Sequence, residues 1–396
     1  MDDPARTLPA DPARPPRGGG RRRWSFLLTL ALGLAPGASP LRGADWLPAV
    51  PGHTYTFPAD HLPHPGFKTE WWYFTGNVRD PAGRRFGYQA TFFRQGLRPP
   101  GERPAGESRF IVDDLKFAHF GLTDVAARQF HFTQRLSRGA FGEAGFAARA
   151  DPAAATRLAW IDEWQLTRPP TGGFTLTARS PEAAIEFTLA EGKPWAIHGT
   201  GGLSQKADGP GHASHYYSGT RMPTSGRLTV GGRAFTVAGE TWFDHEWATN
   251  QLTPGQVGWD WFSLQLDDGT ELMLYAMRTA TGDLDPNSSG TFIAADGTTR
   301  HLTRDQFTLR PLAWWESPAT HGRYPIAWEV SIPGLALTAR VTTPVENQEL
   351  VLQPIAYWEG LIDVRGTRAG REVKGHGYLE LTGYAGALVG LSATSP

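Results

Sequence analysis

Two clusters in one stretch of the chain mix acids with large aromatic rings. Trp242-Phe243-Asp244-His245-Glu246-Trp247 is the first, and Trp259-Asp260-Trp261-Phe262 follows shortly after it. Burying a carboxylate among such rings is costly unless it meets partners in a pocket. Apolar walls also raise its pKa and keep a proton available near neutral pH. Residues 239–272 therefore read as a functional site with acid/base character.

Acid/base chemistry at carbon is the kind of work such a set could carry. It needs an acid to protonate carbon, something to steady the resulting cation, and a base for water. Asp260, between Trp259 and Trp261, fits the acid. Trp247, Trp259 and Trp261 offer π faces to the cation. His245, flanked by Asp244 and Glu246, could hold or activate the water. Side chains alternate along a strand, so His245 shares a face with Phe243 and Trp247, and Asp244 and Glu246 take the other. Only one subset can face a pocket. The reading places His245 and Trp247 there with Asp260, and keeps Glu246 and Asp244 as further catalytic candidates. Trp259, Trp261, Trp242, Glu70, Trp72 and Tyr217 are the substrate-binding candidates. Plainer roles exist for several of these. Asp260 could be a structural acid accepting hydrogen bonds, and His245 could bridge two domains. Glu70 could pair with Lys68 or a nearby Arg, Trp71-Trp72 could be core, and Arg94 and Arg278 could partner buried acids.

Other chemistries find less support. His212 and His215 have a two-ligand spacing that Asp244-His245-Glu246 could complete, but no HExxH or comparable full motif exists, so no metal is expected. There is no Gly-x-Ser-x-Gly elbow. Gly199-Thr200-Gly201-Gly202 leads into no helical pattern, so no phosphate loop is expected. Cysteine is absent, which excludes disulfides and thiolate chemistry. A net charge of −1 gives no sign of a nucleic-acid partner.

The elements that must position these residues read as strands. Trp71, Tyr73, Thr75 and Asn77 alternate with Trp72, Phe74, Gly76 and Val78. Gly231-Gly232, Asp268-Gly269 and Asp296-Gly297 are tight hairpin turns between strand-like runs. Further strands are expected over residues 227–230, 233–237 and 348–354, among others. No sustained helical period appears. The hairpin led by Trp71-Trp72 and closed by Arg94 is echoed by one led by Trp259-Asp260-Trp261 and closed by Arg278. Two related β modules with a seam near residues 244–251 would place the acids where clefts form. Residues 1–44 stand apart. Arg21-Arg22-Arg23 precede an apolar run over residues 24–35 and small residues with cleavage points after Ala38 or Ala44, which describes a secretory signal with a loose match to the twin-arginine type. The run is short for a membrane span. With seven Arg and three Asp removed, 31 basic and 36 acidic residues remain. An exported, periplasmic or secreted protein is expected, not membrane-spanning once the signal is cleaved.

Longer motifs carry a resemblance. They are His64-Pro65-Gly66-Phe67-Lys68-Thr69-Glu70-Trp71-Trp72-Tyr73-Phe74-Thr75-Gly76-Asn77, His215-Tyr216-Tyr217-Ser218, Asp244-His245-Glu246-Trp247, Gly258-Trp259-Asp260-Trp261-Phe262, Tyr357-Trp358-Glu359-Gly360, and the run from Gly377 to Tyr384. Together they make the chain resemble the AttH-like and carotenoid 1,2-hydratase family, often labelled predicted secreted hydrolases. The resemblance implies an all-β fold of two lipocalin-like (calycin) β-barrel or curved-sheet domains packed side by side, over residues 45–246 and 247–396. It also implies an apolar ligand and no redox cofactor. Carotenoid hydratases of this family add water across a terminal isoprenoid double bond, and enzymes of cycloaddition are similar in fold. The match is closer to the secreted AttH-like branch, which is associated with ABC-type export systems. The expected function is thus a hydro-lyase, a hydratase acting on an apolar, isoprenoid or carotenoid-like substrate by cofactor-free acid/base chemistry. The alternative is a non-catalytic carrier of a lipid or other hydrophobic ligand with an ABC-type exporter as partner. A third reading is an adaptor with a filled core. In this scheme the enzyme reading requires Asp260 and His245 to face one cavity.

Overall fold

The computed structural model describes residues 45–101, 106–108, 110–148, 156–250, 252–352 and 355–386. The signal-like stretch of residues 1–44 lies outside them. Aromatic and β-branched residues with turn-forming Gly and Asp favour strands, and the described residues form two antiparallel sheets with helical structure limited to three single 3₁₀ turns. The first sheet contains β1 (Thr69–Arg79), β2 (Arg85–Gly96), β3 (Asp114–Asp124), β4 (Gln129–Ser137), β5 (Ala144–Phe146), β6 (Thr156–Ile161), β7 (Trp164–Arg168), β8 (Phe174–Arg179), β9 (Ala183–Leu189), β10 (Ala196–Ile197), β11 (Leu203–Gln205), β12 (Ala213–Val230) and β13 (Arg233–Ala248). The second contains β14 (Gln256–Leu266), β15 (Glu271–Thr279), β16 (Ser289–Ile293), β17 (Thr299–Leu302), β18 (Thr308–Glu316), β19 (Arg323–Ile332), β20 (Leu337–Thr342), β21 (Glu349–Val351), β22 (Ala356–Arg368) and β23 (Arg371–Leu381).

In the first sheet the order is β4-β3-β2-β1-β13-β12-β9-β8-β7-β6-β5, and in the second β17-β16-β15-β14-β23-β22-β20-β19-β18. The first curls until its far strands approach, with Arg135 of β4 reaching Asp162 and Glu163 beyond β6 at 3.5 Å. Each sheet wraps its own core: Trp72, Phe74, Phe243 and Trp247 in the first, Phe262, Leu264, Trp328 and Trp358 in the second. The fold is all-β, two nearly closed sheets of lipocalin-like form. At the Gly231-Gly232 turn both residues have positive φ, 55° and 74°, which the tight hairpin between β12 and β13 requires and which side chains disfavour.

The strand expected at residues 227–230 is the end of an 18-residue strand, β12. A register shift between Gly219 and Met222 breaks its alternation and hid the earlier part. The strand expected over residues 348–354 is the short β21; residues 353–354 lie outside the described residues.

A third cluster lies between the sheets. Tyr73, Tyr216 and Trp242 of the first meet Trp261, Tyr275, Leu361 and Tyr378 of the second. Trp261 stands edge-on to Tyr73 at 5.3 Å and to Trp242 at 6.2 Å between ring centres, each pair worth about 0.5–1.5 kcal/mol beyond burial. Polar bolts flank the rings. The buried Glu271 of β15 takes Lys193 at 2.8 Å and Arg221 at 2.6 Å from the first sheet. Asn77 donates to the Gly377 carbonyl at 3.1 Å and accepts from Arg85 at 2.7 Å, and Arg85 in turn pairs with Asp363 of the second sheet. Asn77→Ala leaves the Gly377 carbonyl without its side-chain donor and Arg85 with only its bonds to Asp363 and the Ile362 carbonyl, so the urea midpoint should fall by an amount equivalent to about 1–3 kcal/mol. An unchanged midpoint would mean that the aromatic cluster and the Glu271 ion cluster hold the sheets together without this bolt.

Candidate functional site

Strand β13 pairs with β1 so that His245 lies beside Trp72 and Asp244 beside Tyr73. Because both strands are covered on both faces, the pleat sends neighbouring residues into two different polar networks.

The inner network is a clamp. Glu70 is fully buried. It accepts from His64 Nδ1 at 2.8 Å, His245 Nε2 at 3.0 Å, Arg94 Nε at 3.1 Å and the His64 backbone N–H at 2.8 Å. His245 also reaches the Asp60 carbonyl at 2.8 Å and lies over Trp72, 4.5 Å between rings. His64 stacks flat on Trp247 at 3.7 Å, and the Tyr217 hydroxyl meets His61 Nδ1 at 2.7 Å. Burial pulls the His64 pKa down, but Glu70 and Asp60 outweigh it and the net shift is upward. Burial likewise opposes ionisation of Glu70, yet His64, His245 and Arg94 drive it well below the usual carboxylate range. The network ties the segment before β1 onto the central strands. His64, Glu70 and His245 are the group among the described residues whose ligand atoms lie close enough for a metal ion. With four donors already on Glu70, one of them a guanidinium, the arrangement reads as a hydrogen-bonded clamp. His212, His215 and residues 244–246, whose spacing could have suggested ligands, do not converge, since Asp244 and His245 leave β13 on opposite faces.

The outer faces of the two sheets enclose a cavity of about 620 Å³. Trp71, Phe93, Phe117, Leu252, Leu352 and Ile355 form an apolar part, and Asp244, Glu246, Glu380, Lys206, Tyr216 and Tyr275 a polar one. Asp244 accepts from Tyr216 at 2.8 Å, from Trp242 Nε1 at 2.6 Å and from the Ser218 hydroxyl. Trp261 Nε1 donates in turn to the Tyr216 oxygen at 3.1 Å. Burial pushes Asp244 up to about 7, Glu246 adding to the effect and the three donors opposing it. Glu246 accepts from the Ser214 hydroxyl and pairs with Lys206 at 3.1 Å. Burial lowers the Lys206 pKa, but Glu246 outweighs that and the net shift is upward. Across the cavity stands Glu380 of β23, whose register partner on β22 is the buried Glu359. Burial raises Glu380 to about 7, with Asp244 and Glu246 adding and Trp259 Nε1, 3.2 Å away, opposing. Burial and the neighbouring Glu380 hold Glu359 well above its ordinary range.

The expected trio of His245, Trp247 and Asp260 is therefore not assembled. His245 and Trp247 face the first core with Trp72 and Tyr217, and Asp260 turns into the second sheet. There it pairs with Arg278 at 3.2 Å, and its pKa is raised to about 6 by burial, with Arg278 opposing. Its neighbours Trp259 and Trp261 do face the cavity, as do Asp244 and Glu246. Trp242 backs the site through its bond to Asp244. Glu70 borders the cavity, but its carboxylate is committed to the clamp. Sequence reasoning missed Tyr73, Lys206, Tyr216, Glu359 and Glu380. Trp358-Glu359-Gly360 carries the same acid-beside-aromatic signal that drew attention to Asp260, and could have been found with it.

Two measurements check these electrostatics. Glu70→Gln should cost about 3 kcal/mol by leaving Arg94 and His64 without their buried partner. His64 is raised above 6.5, so its share is complete below pH 6.5 and lost as pH climbs through the folded value. Glu70 is lowered from 4.5, so its share is complete above pH 4.5 and lost on acidification. The Tm gap between wild type and variant should be widest between those limits; a flat gap would show that these charges do not hold the segment. Asp244 behaves in the opposite sense. Its folded value of about 7 lies above 3.8, so ionising it costs stability progressively as pH rises between the two. Asp244→Asn should raise Tm more at pH 8 than at pH 5, by on the order of 2 kcal/mol, and equal shifts at both would contradict the raised value.

Comparison with known proteins agrees with the fold. The AttH-like family model matches residues 48–384. The solved AttH protein NE1406 of Nitrosomonas europaea is 33% identical with a TM-score of 0.72, covering 85% of this chain and 99% of that one. Kievitone hydratase of Nectria haematococca shares the fold at 15% identity and a TM-score of 0.64, covering 84% and 93% of the two chains. Among curated proteins, the dehydratase asqC of Emericella nidulans is 27% identical over 173 residues, which is 40% of this chain and 47% of asqC, about half its length. With most of its described length matched by the family model and by NE1406, the chain belongs to the AttH-like family.

Proposed function

We propose that the protein is a cofactor-free hydratase-type enzyme, acting on an apolar, isoprenoid-like substrate in the cavity between its two sheets. One observation carries the reading. Asp244 sits in an apolar-walled cavity with its pKa pushed up to about 7, where a carboxyl group can hold a proton and still give it up near neutral pH. Tyr216, Trp242 and Ser218 fix its orientation.

In the hydration direction, neutral Asp244 gives its proton to one alkene carbon as the π electrons form the new C–H bond. The neighbouring carbon becomes cationic and faces the rings of Trp259 and Trp261. Water attacks it, and Glu246 takes the proton released as the C–O bond forms. Passage of that proton from Glu246 back to Asp244 restores the starting state, so the sum is one water added. The reverse sequence is dehydration. The names of kievitone hydratase and the dehydratase asqC support this class, the first through a shared fold and the second through a partial match. Export across a membrane belongs to the same proposal and rests on the signal-like residues 1–44.

The carrier alternative, with its ABC-type export partner, is supported by the apolar cavity but gives no role to a carboxyl poised at neutral pH. The test incubates purified protein with total lipid extract of the producing cell and identifies captured species by mass spectrometry. Wild type should convert a bound species to one heavier or lighter by one water. The rate should fall as pH rises through about 7, because the proton-bearing form of Asp244 is lost there. Asp244→Asn should lose about 10²–10⁴-fold in turnover and still bind. A ligand held unchanged by both proteins would leave the carrier reading in its place.

A further inference from the structure

The polar end of the cavity holds more carboxylate than one acid and one base require. Glu359 is 1% exposed, and neither of its oxygens accepts a hydrogen bond. The Tyr73 hydroxyl beside it also makes no hydrogen bond of ordinary length and angle, though it lies close enough to ease a charge on Glu359. Register partners point to the same face of a sheet, so Glu359 shares the cavity face with Glu380. Two acids directly opposite repel when charged, and a buried carboxylate without donors is costly. A bound positive charge relieves both costs at once. The protein already treats one cation in this way: Lys206 Nζ lies 4.0 Å from the ring centre of Tyr275, 5.2 Å from that of Tyr216 and 3.1 Å from Glu246. Lys206 answers Glu246; Glu359 and Glu380 have no cation of their own among the contacts described.

We propose that the Glu359–Glu380 end of the cavity is a site for positive charge, which takes the ammonium head of a molecule whose apolar body lies along Trp71, Phe93 and Phe117. The proposal rests on reading the cavity between the sheets as the ligand site. The same charge arises on carbon when an alkene is protonated, so an alkylammonium also stands in for the cation of the hydration step. A hydratase is then inhibited competitively by the ammonium, whereas a binder of natural amines holds it without any turnover to inhibit.

The experiment displaces the neutral fluorescent probe N-phenyl-1-naphthylamine from the full protein with octyltrimethylammonium and with its neutral tert-butyl analogue of the same shape. Wild type should bind the ammonium about tenfold or more tightly than the neutral analogue, the scale expected for a desolvated cation–π and carboxylate contact. Glu359→Gln should abolish most of that preference and leave the neutral analogue's affinity unchanged. Glu380→Gln should do the same, which guards against one variant failing to fold. Equal or weaker binding of the ammonium by wild type overturns the proposal, as does a preference that survives both substitutions. If the preference is present and no hydration product forms, the hydratase reading fails and the cation site stands.

Discussion

The C-terminal half of strand β13, residues 241–248, is packed on both faces, and a pleated strand delivers neighbouring side chains to opposite sides. At residues 244–246 this rule separates two kinds of chemistry that are adjacent in sequence. His245 goes inward to Glu70, where every charge meets an opposite charge or a donor. Asp244 and Glu246 go outward to a cavity whose polar end sets them and Glu380 against Lys206. The inner network lowers the free energy of the folded state and the outer one raises it. The two are separated by the thickness of one backbone.

The magnitudes explain why the outer acids need so large a scaffold. Raising Asp244 from 3.8 to about 7 corresponds to about 4 kcal/mol when it is ionised. Glu380, at about 7 against 4.5, adds a comparable cost. Native domains are stable by only about 5–15 kcal/mol, so compensation has to come from elsewhere. The rings between the sheets, the Glu271 ion cluster and the Glu70 clamp are where it is found.

Much of this was legible in the chain. The alternation at Trp71–Val78, the Gly231-Gly232 turn and the absence of helical period all survive in the fold. So does the matching of two hairpins, each of which buries an acid on its closing arginine, Glu70 on Arg94 and Asp260 on Arg278. The acid cluster was recognised, and so was the rule that only half of it could face a pocket. Which half could not be read, because the answer depends on where the second sheet docks. A local pattern carries no information about that. Glu359 and Glu380 were missed for a related reason. Their significance lies in Glu380 facing Asp244 across a cavity with Glu359 paired beside it, and more than 100 residues of chain separate both from Asp244.

The position of the acids on β13 also bears on motion. Strand β1 and residues 241–248 of β13 lie in the middle of the first sheet, hydrogen-bonded on both edges and buried on both faces. Backbone amides in such a place exchange with solvent only when much of the domain opens. Asp244 and Glu246 therefore inherit their geometry from the slowest-opening part of the fold, and β13 cannot bend to admit a ligand. Any breathing that lets an apolar molecule in falls to the other wall of the cavity and its rim, around Leu97, Leu352 and Ile355, far along the chain from the groups that would act on it.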